Sequence, residues 1–224
     1  VPNPDGTPGF AGNARSNSVC LRSPGNAVEN RFLATSPGTN VLKLHNRAWT
    51  FEGWIRCAGD EPDGFGDVIL TTRDEPRWCG FTLMVNGSVR SGEGRRLACH
   101  FEVKAHEEGD VASTFSLRTA GLLFPGRWQH IALTWRDSGE APGRACLFID
   151  GIGVASGEAP EAFDTEVADR ETIDCLRLGS RKGSEHNSFA GDMDEFRISD
   201  QALAPLDMLV FPNRTGPLPQ IHQV

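Results

Sequence analysis

The acidic residues of segment 192–195, which reads Asp-Met-Asp-Glu, are the first candidates for chemistry in this chain. An ionised carboxylate at the head of a buried strand needs a partner, because burying an unpaired charge is costly. A metal ion, an arginine or a set of backbone N–H groups would each serve, and the residues alone leave these alternatives open. A strand with a period of two would place Asp194, Phe196 and Ile198 on one face and Met193, Glu195 and Arg197 on the other.

Two polar loops supply a second set of candidates, which would bind a ligand rather than react with it. Trp78 and Arg77 belong to residues 74–79, Asp-Glu-Pro-Arg-Trp-Cys, where the indole has no apolar neighbour. A sugar-binding site uses an exposed aromatic ring together with planar polar groups. For both loops an ordinary solvated surface is the competing interpretation. The candidates in the second loop, which leads into the acidic strand, are Arg181, His186 and Asn187.

Composition restricts the classes of partner. The chain has 224 residues and a formal net charge of −8, which argues against a nucleic-acid partner because a phosphate backbone requires a basic surface. No apolar run approaches the roughly 18 residues that a membrane-spanning helix needs. The first residues, Val-Pro-Asn-Pro, are typical of a processed or trimmed terminus.

The six cysteines lie far apart, and none forms a C-x-x-C pair, which argues against zinc. Their even number allows up to three disulfides and favours an extracellular or cell-surface location. The alternative is that each cysteine is a small buried side chain in a reducing compartment. Alternation with apolar residues places Cys79 and Cys99 in a core.

The elements that would position these residues are short strands. Scattered glycine and proline, with alternating apolar residues between them, predict about twelve strands and no helix. We therefore expect an all-β fold, an antiparallel two-sheet β-sandwich or jelly roll. Residues 1–18 would be an N-terminal arm, 19–211 the domain, 158–174 an acidic loop, and 212–224 a proline-rich tail or linker.

Some residues that attract attention are predicted to be structural. The Ser-Asp pair at 199–200 would cap a helical turn over residues 201–203, which Pro205 would end. His130 is expected to be a hydrogen-bonded structural residue rather than a ligand. The tryptophans expected in the core are Trp49, Trp54, Trp128 and Trp135.

Five sequence pieces, in order, carry a resemblance to a known family. They are residues 49–55, 126–135, 147–151, 176–179 and 189–198. Together they resemble the laminin-G-like jelly rolls of the concanavalin A-like lectin/glucanase superfamily. Pentraxins share this fold, but the positions of their paired cysteines would hold Glu52 and Ala132 here, which argues against a pentraxin.

The resemblance implies a structural calcium ion, because jelly rolls of this superfamily often use one to tie the N-terminal arm to the last strand. Asp194 would supply a carboxylate, and Gly25 and Asn26 would supply backbone oxygens. Calcium takes six to eight oxygen ligands, so backbone carbonyls and waters would complete the set. The competing interpretation is that Asp194 caps backbone amides or pairs with an arginine.

The resemblance also bears on catalysis. Glucanases of the superfamily use an E-x-D-x-x-E strand with carboxylates about 5 Å apart, and segment 192–195 has a different spacing. Related lyases use a tyrosine, and this chain contains none. We therefore expect a non-catalytic extracellular glycan-binding module of a kind that could belong to a larger multidomain protein or surface assembly. The alternative is a structural or protein-interaction module for adhesion or surface assembly, and a divergent polysaccharide hydrolase or lyase is the least favoured.

Overall fold

Two antiparallel sheets packed face to face make up the architecture, as the sequence predicts. The computed structural model describes residues 21–24, 33–34, 41–58, 67–73, 79–86, 94–104, 111–119, 123–171, 176–180 and 188–210. The predicted arm 1–18 and tail 212–224 lie outside these ranges, so their bounds stay predictions. No helix in the described ranges is long and apolar enough to cross a membrane.

Twelve strands are present in the described residues. In chain order they are β1 (Leu21–Pro24), β2 (Leu33–Ala34), β3 (Ala48–Cys57), β4 (Asp67–Thr71), β5 (Gly80–Asn86), β6 (Arg96–Lys104), β7 (Val111–Arg118), β8 (Gln129–Arg136), β9 (Arg144–Ile149), β10 (Ile152–Glu158), β11 (Arg177–Leu178) and β12 (Ala190–Ser199). Sheet 1 has the order β1-β12-β3-β8-β9-β10, and sheet 2 has the order β2-β11-β4-β5-β6-β7. The first and last strands are therefore neighbours.

The core lies between the sheets and is built by period-two alternation. Phe101 of sheet 2 is at its centre, with ring centroids 5.6 Å from Phe81 and 5.0 Å from Trp135 of sheet 1. Trp49 and Trp135 are buried, as predicted, and their indole N–H groups donate to backbone carbonyls at 2.7 and 2.8 Å. The polar end of each ring is thereby satisfied inside an apolar core.

The prediction that Trp54 and Trp128 are core residues is wrong. Both lie on the outward face of sheet 1 and are half-buried. Trp54 meets the His130 ring edge-on at 5.5 Å, and the Arg56 guanidinium lies 5.1 Å from the Trp128 ring centroid. The prediction rested on the tendency of large aromatic side chains to be buried, but the alternation of β3 places Trp54 on the same outward face as Glu52.

The predicted alternation along β12 is also wrong, because the strand contains a β-bulge. Asp194 pairs with Trp54 and Arg197 with Glu52, so two residues of β12 stand opposite the single residue Gly53. The bulge lets Met193 and Phe196 both contact the core, although they are three residues apart. Glu195 takes the left-handed conformation, with φ of 49°.

The predicted helical turn over residues 201–203 is not formed. Instead, a 3₁₀ turn begins at Pro205 and ends at Asp207, because proline suits the first position of a helix better than its end. Residues 200–210, here called the closing segment, cross the outward face of sheet 1. Leu203 and Met208 of this segment pack against Ala132 and Phe148.

The predicted loop 158–174 contains a helix, α1 (Thr165–Glu171). At seven residues it is too short to show helical periodicity in the sequence. An Asp164 carboxylate oxygen accepts the Val167 N–H at 2.9 Å, which caps the helix. Asp169 accepts the N–H groups of Leu44 and His45 and ties α1 to that turn, although burial raises the pKa of its carboxyl.

Among the described cysteines, Cys57, Cys79 and Cys99 are small buried side chains, and Cys146 is half-buried. Cys79 and Cys99 face the core, which confirms their predicted placement. Burial raises the pKa of the Cys57 thiol to about 12 and that of Cys99 well above its usual range. Because Cys57, Cys99 and Cys146 are free thiols, the chain does not have three internal disulfides.

Candidate ligand-binding face

The outward face of sheet 1 is occupied by internal contacts. The fully buried Glu52 accepts hydrogen bonds from His130 Nε2 at 2.9 Å, from the Leu209 N–H at 2.7 Å and from Arg197 Nε at 2.7 Å. Burial raises the pKa of Glu52, but the hydrogen bonds from His130 and Leu209 and the charge of Arg197 outweigh it and lower the pKa. His130 is structural, as predicted.

Farther along the same face, polar side chains pair with one another. Arg56 donates from Nε and Nη2 to one Asp192 carboxylate oxygen, at 2.9 and 2.7 Å. Thr50 donates its hydroxyl to the Gln201 carbonyl at 2.7 Å and accepts the Leu203 N–H at 2.8 Å. The Thr50 contacts hold the closing segment in place on sheet 1, which leaves sheet 2 as the better candidate for ligand binding.

The outward face of sheet 2 carries a row of polar side chains across four neighbouring strands. Strand alternation points them away from the core, because the residues that alternate with them are apolar and buried. The register aligns one residue each from β4, β5, β6 and β7, namely Thr71, Thr82, His100 and Ser116. The row thus places hydroxyl and imidazole groups side by side across the sheet.

The row is hydrogen-bonded in two pairs and is accessible at one end. The Thr71 and Thr82 hydroxyls lie 2.9 Å apart, and both residues are fully buried. His100 Nδ1 lies 2.7 Å from the Ser116 hydroxyl, where His100 is half-buried and Ser116 is exposed. A ligand would therefore contact the β6–β7 end of the row first.

An ion pair flanks this row. Arg73 Nη1 contacts a Glu102 carboxylate oxygen, and the two side chains are 5% and 17% exposed. Glu102 stands opposite the exposed Thr114 on β7. The pair thus puts a positive donor and a negative acceptor next to hydroxyl and imidazole groups. Such a set of planar polar groups suits a sugar, whose hydroxyls both donate and accept.

The predicted ligand residues Arg77, Trp78, Arg181, His186 and Asn187 all lie outside the described residues. The residues that bound their loops are described, and they lie at opposite ends of β4. Arg73, which precedes the first loop, follows the C-terminal end of β4. Ser188, which follows the second loop, forms a bridge with Val68 near the start of β4. The two loops therefore leave sheet 2 from different ends, and only the first starts beside the Arg73–Glu102 pair.

The structure describes one member of the predicted calcium set, Asp194. It is 2% exposed, and its Oδ1 accepts the Glu195 N–H at 2.9 Å. Gly25 and Asn26 lie outside the described residues. Pro24, just before them, pairs with Ala190. Four residues of strand, about 13 Å, separate Ala190 from Asp194. In the described ranges no group of three or more His, Cys, Asp or Glu side chains could hold a metal.

Calcium stays a prediction, and chelation tests it. A ligand that binds only the folded chain stabilises it by mass action, so EDTA is expected to lower the melting temperature. Calcium added in excess should restore the original value, and Asp194→Asn should no longer respond to EDTA. Identical melting curves with and without the chelator would show that the calcium prediction is wrong.

A separate cleft of about 350 Å³ opens beside α1 and is strongly acidic. Asp137, at its wall, accepts the Thr165 hydroxyl at 2.9 Å and the Gly139 N–H at 2.8 Å. Its carboxylate is thus used to hold the two loops together. The other acidic side chains that line the cleft are Glu140, Glu161, Asp164 and Glu166.

The polar row is not among the sites predicted from the sequence, although the signal for it is present there. The same alternation that places Cys99 in the core puts His100 and Glu102 on the opposite face. What the sequence did not indicate is which strands are neighbours. Without that order, Thr82, His100 and Ser116 are three isolated polar residues in three strands.

Comparison with known proteins gives one family match. Residues 30–207 match the family model Laminin_G_3, described as "Concanavalin A-like lectin/glucanases superfamily". No curated protein matches the chain.

Solved structures with the same fold are similar at low sequence identity. The CBM40 of the Ruminococcus gnavus IT-sialidase, bound to α2,3-sialyllactose, has 14% identity and a TM-score of 0.54. The match covers 82% of this chain and 97% of that one. The leech intramolecular trans-sialidase, complexed with 2,7-anhydro-Neu5Ac, has 13% identity and a TM-score of 0.52, covering 83% of this chain and 27% of that one. At these identities the likeness concerns the fold.

Proposed function

The chain belongs to the laminin-G-type family of the concanavalin A-like lectin/glucanases superfamily, and on this premise we propose that it is a non-catalytic module that binds a glycan on the outward face of sheet 2. The observation that carries the proposal is the aligned row of hydroxyl and imidazole groups, which ends in the accessible pair His100 and Ser116. A CBM40 bound to sialyllactose, with the same fold, adds support. We also propose an extracellular or cell-surface location, in keeping with the family.

The arrangement of carboxylates favours binding over hydrolysis. Glycoside hydrolysis generally uses two carboxyl groups about 5 to 10 Å apart across the sugar ring. On the outward face of sheet 2, the described side chains include one carboxylate, Glu102, and Arg73 pairs with it. A carboxylate that an arginine holds is a good acceptor for a sugar hydroxyl, and a single carboxylate does not supply the pair that hydrolysis uses.

Replacing the accessible pair tests the proposal. We expect the wild-type protein to bind at least one member of a glycan array, and Ser116→Ala and His100→Ala each to weaken that binding about two- to tenfold. The reason is that a hydrogen bond contributes about 0.5–1.5 kcal/mol. Isothermal titration with the best array ligand measures the change. Trp78→Ala should abolish binding if its ring stacks on the sugar, as the sequence predicts.

Ser156→Ala is the matched control, because Ser156 is also an exposed serine on an edge strand but belongs to sheet 1. It should leave the affinity unchanged. Binding that is equally weakened by Ser156→Ala, or left intact by both variants of the accessible pair, would place the ligand elsewhere. A protein that binds no glycan at all would overturn the proposed function.

A further inference from the structure

The outward face of sheet 1 contains three buried nitrogen atoms that have no hydrogen-bond partner among the described residues. They are the indole Nε1 atoms of Trp54 and Trp128 and Nδ1 of His130, whose ring is fully buried. His130 stands opposite Trp54, and Trp128 precedes His130 by two residues, so the three side chains are neighbours on one face. Buried polar groups in folded proteins are nearly always hydrogen-bonded. These neighbouring nitrogens therefore indicate a site that a further group with acceptors would complete.

The closing segment runs along β3 towards this site. Its first hydrogen bonds join it to Thr50, and a later one joins the Leu209 N–H to Glu52, two residues farther along β3. Trp54 is the next residue of β3 on the same face, about 6.6 Å beyond Glu52. A chain that continues in this direction after Leu209 passes over Trp54 and then reaches Trp128.

The residues that come next in the chain, 211–224, here called the C-terminal segment, have a suitable composition. They include three prolines, Pro212, Pro217 and Pro219. Proline lacks an N–H group but keeps its carbonyl, so such a segment offers more acceptors than donors. Proline-rich segments bind aromatic-lined grooves in an extended form that rises about 3.1 Å per residue. Pro212 follows Leu209 by three residues, about 9 Å in this form, which is enough to reach Trp54.

From these observations we propose that the C-terminal segment docks on Trp54 and Trp128 and continues the cover that the closing segment begins on sheet 1. Backbone carbonyls of the docked segment accept the two indole N–H groups, and its prolines pack against these half-buried rings. A backbone N–H of a non-proline residue donates to Nδ1 of His130, whose Nε2 already bonds Glu52. The proposal does not depend on glycan binding, which concerns the other sheet.

Trypsin measures the docking, because the C-terminal segment contains a single trypsin site, Arg214. In the native full-length chain, the bond after Arg214 should be cleaved about tenfold more slowly than in a free peptide of residues 211–224, since cleavage follows the population of the undocked form. Trp54→Phe and Trp128→Phe each keep an aromatic ring but remove the N–H. Each should speed the cleavage about two- to tenfold, the effect of losing one hydrogen bond. Pro219→Ala should also speed it, relative to a free peptide with the same substitution.

Trp78→Phe is the matched control, because it makes the same substitution in a different part of the chain, and it should leave the rate of cleavage unchanged. Melting curves verify that each variant is folded. Pro219→Ala tests the contact if the variants of Trp54 and Trp128 do not fold. Cleavage of the wild-type chain as fast as that of the free peptide overturns the proposal. Protection that both tryptophan variants retain also overturns it, because the segment then docks elsewhere. Protection that disappears on dilution overturns it as well, because the contact then joins two copies of the chain.

Discussion

Glu52→Ala is expected to lower the free energy of unfolding by about 3–5 kcal/mol, the usual cost of removing one partner of a buried ion pair. The substitution leaves the buried His130 Nε2, the guanidinium of Arg197 and the Leu209 N–H without their shared acceptor. Because Leu209 belongs to the closing segment, that segment should also become more accessible. Urea denaturation measures the stability, and hydrogen exchange at residues 200–210 measures the loosening.

The same carboxylate gives the stability a dependence on pH. The pKa of Glu52 is lowered in the folded protein from a reference value of 4.5. Its contribution is therefore fully present above that reference value and is lost as the pH falls through the lower, folded-state pKa. Wild-type stability should decrease with acid in this range more steeply than the stability of Glu52→Gln, which has no charge to lose.

Glu158→Ala provides the matched control. Glu158 also pairs with an arginine, Arg144, but Glu158 Oε1 and Arg144 Nη1 are 3.8 Å apart. The two side chains are 64% and 57% exposed, respectively. Surface pairs of this kind contribute about 0–1 kcal/mol. If Glu52→Ala costs no more than Glu158→Ala, the buried network does not hold the closing segment on sheet 1.

Gly191→Ala is expected to be the most damaging single-methyl substitution, at about 3 kcal/mol or more, because strain and overpacking add. Gly191 has φ of 142°, and a Cβ there would come within 2.1 Å of the Arg56 carbonyl oxygen. That oxygen is backbone and cannot move aside as a side chain can. Relief would require β12 to shift away from β3 at the Gly191–Cys57 pair. Thermal and urea denaturation measure the loss.

Gly126→Ala separates the collision from the conformational strain. Gly126 also has a positive φ, 75°, but nothing lies within 4 Å of its hypothetical Cβ. Its substitution should cost only the strain of a left-handed residue, about 1–2 kcal/mol. Equal losses for the two variants would mean that β12 and β3 tolerate the added methyl group and that the strands are not tightly apposed at Gly191.

The sequence predicted the fold well because the information for it is local and repeated. Alternation in β3 places Phe51 and Ile55 on the core face, and the structure agrees. The same rule predicted the core positions of Cys79 and Cys99. Alternation could not predict the β12 bulge, because the extra residue opposite Gly53 depends on the partner strand and is not visible in the sequence of β12 itself. Helix α1 was not predicted for a related reason, because two turns are too few to show a helical period in the sequence.

The difference between what the local sequence predicts and what only the tertiary structure decides is clearer at the candidate face. Residue types and the period of two determined that this chain forms strands and which side chains share a face, and five sequence pieces carried the resemblance to laminin-G-like jelly rolls. Only the tertiary structure brought Thr82, His100, Ser116 and Arg118 from three strands onto one surface, and only it showed that the closing segment covers sheet 1. The physical reason is that strand identity follows from neighbours along the chain, whereas strand order follows from the burial of whole faces. A binding surface depends on that order.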